Sequence, residues 1–168
     1  MGGNGGDGPA AWRAAVVGIA VSQLGVREHG FNRGPDVEKY QRAGGGRPGD
    51  AWCSWFASWC LRTAGVPCRA FGAAKSWFDK AHVIWRHGEG ATPQPGDLNG
   101  YTWGADHVCH VEVVKSWPPG VTMEAIGGNT HGHGLSREGD GVFLNWRDKR
   151  QIAFVADVIA KPAYTHGE

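Results

Sequence analysis

Apolar positions recur with a helical period through the first half of the chain and with a strand period through the second. The change falls after Pro93-Gln94-Pro95-Gly96-Asp97. Trp12, Val16, Ile19 and Gln23, flanked by Val17, Val21 and Leu24, trace one helix face that stops at Gly25. Pro35 opens a shorter second helix with Val37 and Tyr40 inward, ended by Gly44-Gly45-Gly46. A third helix is expected over residues 51–64, stopping at Gly65. Its residues Cys53, Phe56, Ala57, Cys60, Leu61 and Ala64 follow i, i+3, i+4, i+7, i+8 and i+11, while Trp52, Trp55 and Trp59 form a second stripe. A helix apolar nearly all round belongs at the centre of a fold. Ser76 to Ala81 fits a fourth, short helix.

Beyond Asp97 the runs read as strands, at residues 108–115, 121–126, 141–146 and 152–159. The turn Trp117-Pro118-Pro119-Gly120 makes the first two a hairpin. Helices first and strands afterwards predict an α+β fold, N-terminal helices packed on a C-terminal antiparallel sheet. The expected organisation is a Gly-rich flexible head over 1–10, one domain over 11–160, and a tail or linker stub over 161–168.

The length of 168 residues suffices for a core without staples. A formal net charge of +1 gives no electrostatic footprint for nucleic acid. No apolar run is long enough to span a bilayer. The head lacks a basic region, and the apolar stretch 14–21 is short and runs into a helix, so no cleavable signal is expected. Nine Trp and 28 Gly point to large buried rings, an aromatic groove and many tight turns. The four Cys match no paired zinc spacing; free thiols are expected, with Cys60 and Cys68 the one pair worth checking.

Cys53 carries the first candidate chemistry. With Asp50 as N-cap it would sit at the third helical position, where free amides and the helix dipole favour a thiolate and can hold an oxyanion. It equally fits the core face, as Cys60 does. Cys109 is a rival thiol. A thiol needs a base on a separate, rigid element, and either His107 or His110, at the start of the first strand, can serve. In a strand His110 shares a face with Glu112 and Val114. The next strand ends in Gly127-Gly128-Asn129, and a hairpin brings Asn129 alongside His110, where an amide oxygen can accept the imidazole N–H.

The segment 49–65, with Trp52-Cys53-Ser54-Trp55-Phe56 at its centre, resembles the nucleophile helix of CHAP-domain peptidoglycan hydrolases, papain-like enzymes related to the NlpC/P60 group. Glu28-His29-Gly30-Phe31-Asn32-Arg33-Gly34 is similar to a lead-in found in phage endolysins and bacterial CHAP-type domains. Pro95-Gly96-Asp97-Leu98, His110-Val111-Glu112-Val113-Val114 and Gly127-Gly128-Asn129 resemble later landmarks, in family order. The resemblance implies Cys53 as nucleophile, His110 as base and Asn129 as orienting group. One departure stands out: many relatives carry Glu where this chain has Gly127, and Glu112 or Glu124 would then have to supply charge.

What this implies is a cysteine-dependent hydrolase of an amide bond in the stem peptide or the muramyl-peptide link of bacterial peptidoglycan, working through a thioester. It implies no cofactor and no metal, and a monomer, endolysin-like, followed by a wall-binding module in a longer protein. Such a protein is made in the bacterial or host cytoplasm and acts at the cell wall. Trp52, Tyr101 and Trp103 are the candidates for an aromatic substrate groove. Two alternatives carry other signatures. A zinc-dependent wall amidase would draw its ligands from His131 and His133 with His107 and His110, and a wall-binding module on the same fold would have no catalysis.

Overall fold

The structure, a computed structural model, describes residues 8–132 and 139–161. Residues 1–7 of the expected flexible head and 162–168 of the expected tail lie outside that set, as does His133, whereas Pro9 and Ala10, placed in the head by the sequence, already belong to the first helix. Three helices come first: α1 (Pro9–Ser22), α2 (Pro35–Gly44) and α3 (Cys53–Thr63). Pro35 starts α2 and Gly45 ends it in the left-handed conformation (φ 91°), the Pro-first, Gly-last arrangement the sequence predicts. No helix among the described residues is long and apolar enough to cross a membrane.

Seven strands follow: β1 (Val83–Arg86), β2 (Glu89–Gly90), β3 (Leu98–Tyr101), β4 (His110–Ser116), β5 (Thr122–Thr130), β6 (Gly141–Asp148) and β7 (Phe154–Ala156). They form one antiparallel sheet in the order β2-β1-β7-β3-β4-β5-β6. The expected α+β fold is what the chain adopts. The β4–β5 hairpin falls where Trp117-Pro118-Pro119-Gly120 puts it.

Three details differ from expectation. Residues 76–81 do not make a helix; a 3-10 turn spans Ala74–Trp77, and the Asp79 carboxylate then takes the Ala81 and His82 N–H groups, closing a turn instead. The β1–β2 hairpin closes through His87 (φ 45°) and Gly88 (φ 95°), a left-handed pair usually signalled by Asn-Gly. Leu98–Tyr101, which no expected strand covered, is a fully buried strand paired with β4 and β7.

The central helix is α3, flanked by α1 and α2 and packed on β4 and β5. Cys53, Phe56, Ala57, Cys60 and Leu61 join Val111, Val113 and Ile126 in one core, as the helical spacing requires. A smaller cluster, Tyr101, Val114, Met123, Ala125, Ile152 and Val155, lies behind the sheet. Gly128 lets β5 approach closely: a Cβ there would lie 2.6 Å from the Trp52 ring and 2.8 Å from Phe56 Cβ. That contact sets the helix start against the sheet, and so sets the site.

Candidate active site

Cys53 opens α3, and the local reason differs from the one expected. Asp50 does not cap the helix; its carboxylate accepts the Arg47 N–H at 2.8 Å and closes the Arg47-Pro48-Gly49-Asp50 turn. Trp52 is the N-cap, so Cys53 is the first helical residue rather than the third. The first intrahelical bond runs from the Phe56 N–H to the Trp52 carbonyl (2.9 Å), which leaves the amides of the first turn available to an anion.

The lead-in loop fastens this helix start. Glu28 accepts the Trp52 indole N–H at 2.7 Å with one oxygen and the Asn32 N–H at 3.0 Å with the other. Gln41 donates to the carbonyls of Asn32 (2.9 Å) and Asp50 (2.8 Å). Trp52 is fully buried and stacks on Tyr40, so it is a core ring and not part of a groove.

His110, the first residue of β4, is fully buried, whereas His107 is exposed and paired with Asp106. His110 Nε2 lies 3.2 Å from Glu112 Oε1. A carboxylate only accepts, so Nε2 carries the proton and Nδ1 holds the lone pair in the neutral ring. Nδ1 is buried without a hydrogen-bond partner. Cys53 lies close enough to act on the ring, though not in hydrogen-bond geometry with Nδ1. Burial opposes charge on the imidazole, but the Cys53 sulfur and the Glu112 carboxylate outweigh it and raise its pKa to about 9.

Glu112 is itself fully enclosed. Arg147 grips it with two nitrogens, Nε to Oε2 at 3.0 Å and Nη2 to Oε1, and the Tyr101 hydroxyl donates to Oε2 at 3.1 Å. Burial would raise the carboxyl, yet the bonds to His110 and Arg147 hold it down at about 2. Tyr101 is pushed well above its ordinary value by burial and by Glu112 beside it, so its hydroxyl stays a donor. Tyr101 is also fully buried, which removes it from any groove. Trp103 is only half-buried and stacks on His110 (centroids 4.9 Å apart, planes at 19°), with its backbone left-handed at φ 41°.

Asn129 does not meet the His110 nitrogen that is bonded. The β5–β6 register shifts between Gly127 and Thr130, and within that stretch Asn129 is fully buried with a left-handed backbone (φ 54°). Its Oδ1 accepts the Gly139 N–H at 3.4 Å. Glu112 holds the place expected for Asn129, and Glu124 bonds Lys115 and Ser116 instead. Arg147 carried no sequence signal; it lies one residue beyond the strand expected at 141–146 and falls within β6 in the structure.

The four cysteines are free thiols, Cys60 and Cys68 included. Among the described residues no three His, Cys, Asp or Glu side chains gather as a metal site. A recess of about 280 Å³ bordered by Ala43, Ser58, Trp59 and Arg62 includes neither Cys53 nor His110.

Titration of the two buried groups predicts the pH dependence of stability. Glu112 is lowered from 4.5, so its contribution is present above that value and lost as pH falls towards about 2. His110 is raised from 6.5, so its contribution is full below that value and lost as pH rises through about 9. Urea midpoints should therefore be highest between about pH 4.5 and 6.5 as far as this pair is concerned. Midpoints that stay level up to pH 9 would remove His110 from the stabilising set.

Comparison with curated proteins and with solved structures gives no match. A sequence model of the family described as CHAP domain matches residues 42–129, just over half of the 168 residues and the whole stretch from the end of α2 to Asn129. With a cysteine at the head of the central helix and a buried histidine on the facing sheet, the chain belongs to the CHAP domain family, papain-like hydrolases that act on peptidoglycan.

Proposed function

We propose that the chain is a cysteine-dependent hydrolase that cuts an amide bond in the stem peptide of peptidoglycan or in its muramyl link. The observation that carries this reading is the state of His110. Its Nε2 is bonded, its Nδ1 is left unpaired, and the thiol of Cys53 stands beside it at a helix start.

Cys53 gives its proton to His110 Nδ1, and the sulfur attacks the amide carbon to form a C–S bond. Backbone N–H groups at the head of α3 hold the oxyanion. Collapse breaks the C–N bond, and the amine leaves with the proton from His110. Water then attacks the thioester and gives a proton to His110. The C–S bond breaks, His110 returns that proton to the sulfur, and a carboxylic acid and the free thiol result. Trp103, the one groove candidate that is not fully buried, borders this centre by its stack on His110. The chain acts at the cell wall in a lytic, endolysin-like role, as a monomer joined to a wall-binding module in a longer protein.

The test is mass spectrometry of fragments released from defined peptidoglycan, with and without iodoacetamide or a chelator. New amino and carboxyl termini should appear, vanish after alkylation and survive chelation. A reaction lost to the chelator and indifferent to alkylation would replace this mechanism with the zinc reading.

A further inference from the structure

We propose that Glu112, seated in the volume that Gly127 leaves open and clamped by Arg147 and Tyr101, is the positioning residue of His110. The inference rests on the reading of His110 as the general base and names what holds that base in place.

The register that pairs Val113 with Ile126 sets Gly127 across from Glu112 when continued by one residue. A Cβ on Gly127 would lie 2.7 Å from both Cγ and Oε1 of Glu112. Carbon atoms do not approach that closely, so any side chain at 127 must displace the carboxylate. Glu112 has little freedom to move aside. Three donors from three other strand positions already fix its oxygens: His110 Nε2 along its own strand, Tyr101 from β3 and Arg147 from β6. The Arg147 guanidinium is in turn stacked 5.4 Å above the Tyr101 ring. Gly127 is thus the hole into which the carboxylate fits, and its lack of a side chain is a requirement of the site.

This placement does two things for the imidazole. The carboxylate accepts a hydrogen bond from Nε2–H, which leaves the Nδ1 lone pair to take the thiol proton. It also faces the imidazolium with negative charge when His110 takes the thiol proton, in a fully buried place. Arg147 keeps Glu112 ionised, so that it never competes for that proton. The charged and titratable groups around the ring are Cys53 from α3, Glu112 from its own strand, Tyr101 from β3 and, beyond Glu112, Arg147 from β6.

The test compares wild type, Glu112→Gln, the charge-free pair Glu112→Gln/Arg147→Met, and the exchange Glu112→Ala/Gly127→Glu. The pair removes both buried charges and so separates positioning from folding. Three quantities are read: kcat and KM on soluble peptidoglycan fragments, the alkaline limb of the pH profile, and the His110 imidazole titration by NMR. In Glu112→Gln and in the charge-free pair, kcat should fall about 100-fold with KM little changed. The alkaline limb and the His110 titration should both move to lower pH. The exchange should return most of the kcat and of the titration.

A folded charge-free pair with wild-type kcat and wild-type His110 titration overturns the proposal. An exchange variant that folds and restores neither overturns the shared-volume account. Failure of the hydrolase reading looks different: wild type would then release no fragments, and the NMR titration in Glu112→Gln would still decide whether Glu112 holds His110.

Discussion

Cys53→Ala should abolish lysis of cell-wall suspensions, with turnover reduced roughly 10³-fold or more, while the protein still folds and binds peptidoglycan. The side chain is nearly enclosed (5 % exposed) and small, and alanine at the first position of a helix is tolerated, so the loss is chemical. Without the sulfur no C–S bond forms, and His110 alone has no nucleophile held within reach. Turbidity of the suspension measures lysis, and co-sedimentation with insoluble peptidoglycan measures binding. If wild type binds without lysing, and Cys53→Ala binds equally well, the chain is a wall-binding module that keeps the fold. If Cys53→Ala still lyses, the nucleophile is elsewhere.

Arg147→Met should produce the largest loss of stability, about 3–5 kcal/mol, because it strands a buried carboxylate. Glu112 is fully enclosed and its pKa is held at about 2 largely by His110 and Arg147. Taking Arg147 away leaves one charged partner, His110, at the edge of a core that offers no water. For a chain of this size the loss lowers Tm by about 6–20 °C. Scanning calorimetry reads it directly. Glu112→Gln/Arg147→Met should recover most of the loss, since removing both charges also removes the cost of burying them. A single variant with unchanged Tm would mean that solvent reaches Glu112 and that the clamp is not closed.

The periodic parts of the chain were legible before the structure. The core face of α3, the Pro35 start and Gly45 stop of α2, and the β4–β5 hairpin follow from local spacing and turn chemistry. So did the order of thiol and imidazole, and the gap at Gly127. Short elements were not legible. β1, β2 and β3 are each four residues or fewer, too brief for alternation to show; β1 and β3 pair with β7, distant in sequence, and β2 pairs with β1 across a two-residue turn. Side-chain aim was the other blind spot. Trp52 and Tyr101 look like groove residues by type, and only the tertiary packing encloses them. Asn129 sits opposite His110 by register, yet the bond from His110 Nε2 runs to Glu112. Glu112 could be placed on the His110 face by alternation alone, whereas its capture by Arg147 needed the curl of three strands.

The fit of Glu112 against Gly127 also constrains how such a site can change over generations. Two carboxylates cannot occupy that volume together, and leaving it empty strips the imidazolium of its counter-charge. Positions 112 and 127 therefore behave as a single letter spelled across two strands. Neither can be rewritten alone without passing through a crowded or a bare intermediate. A glycine in that register is half of a word whose other half lies on the neighbouring strand.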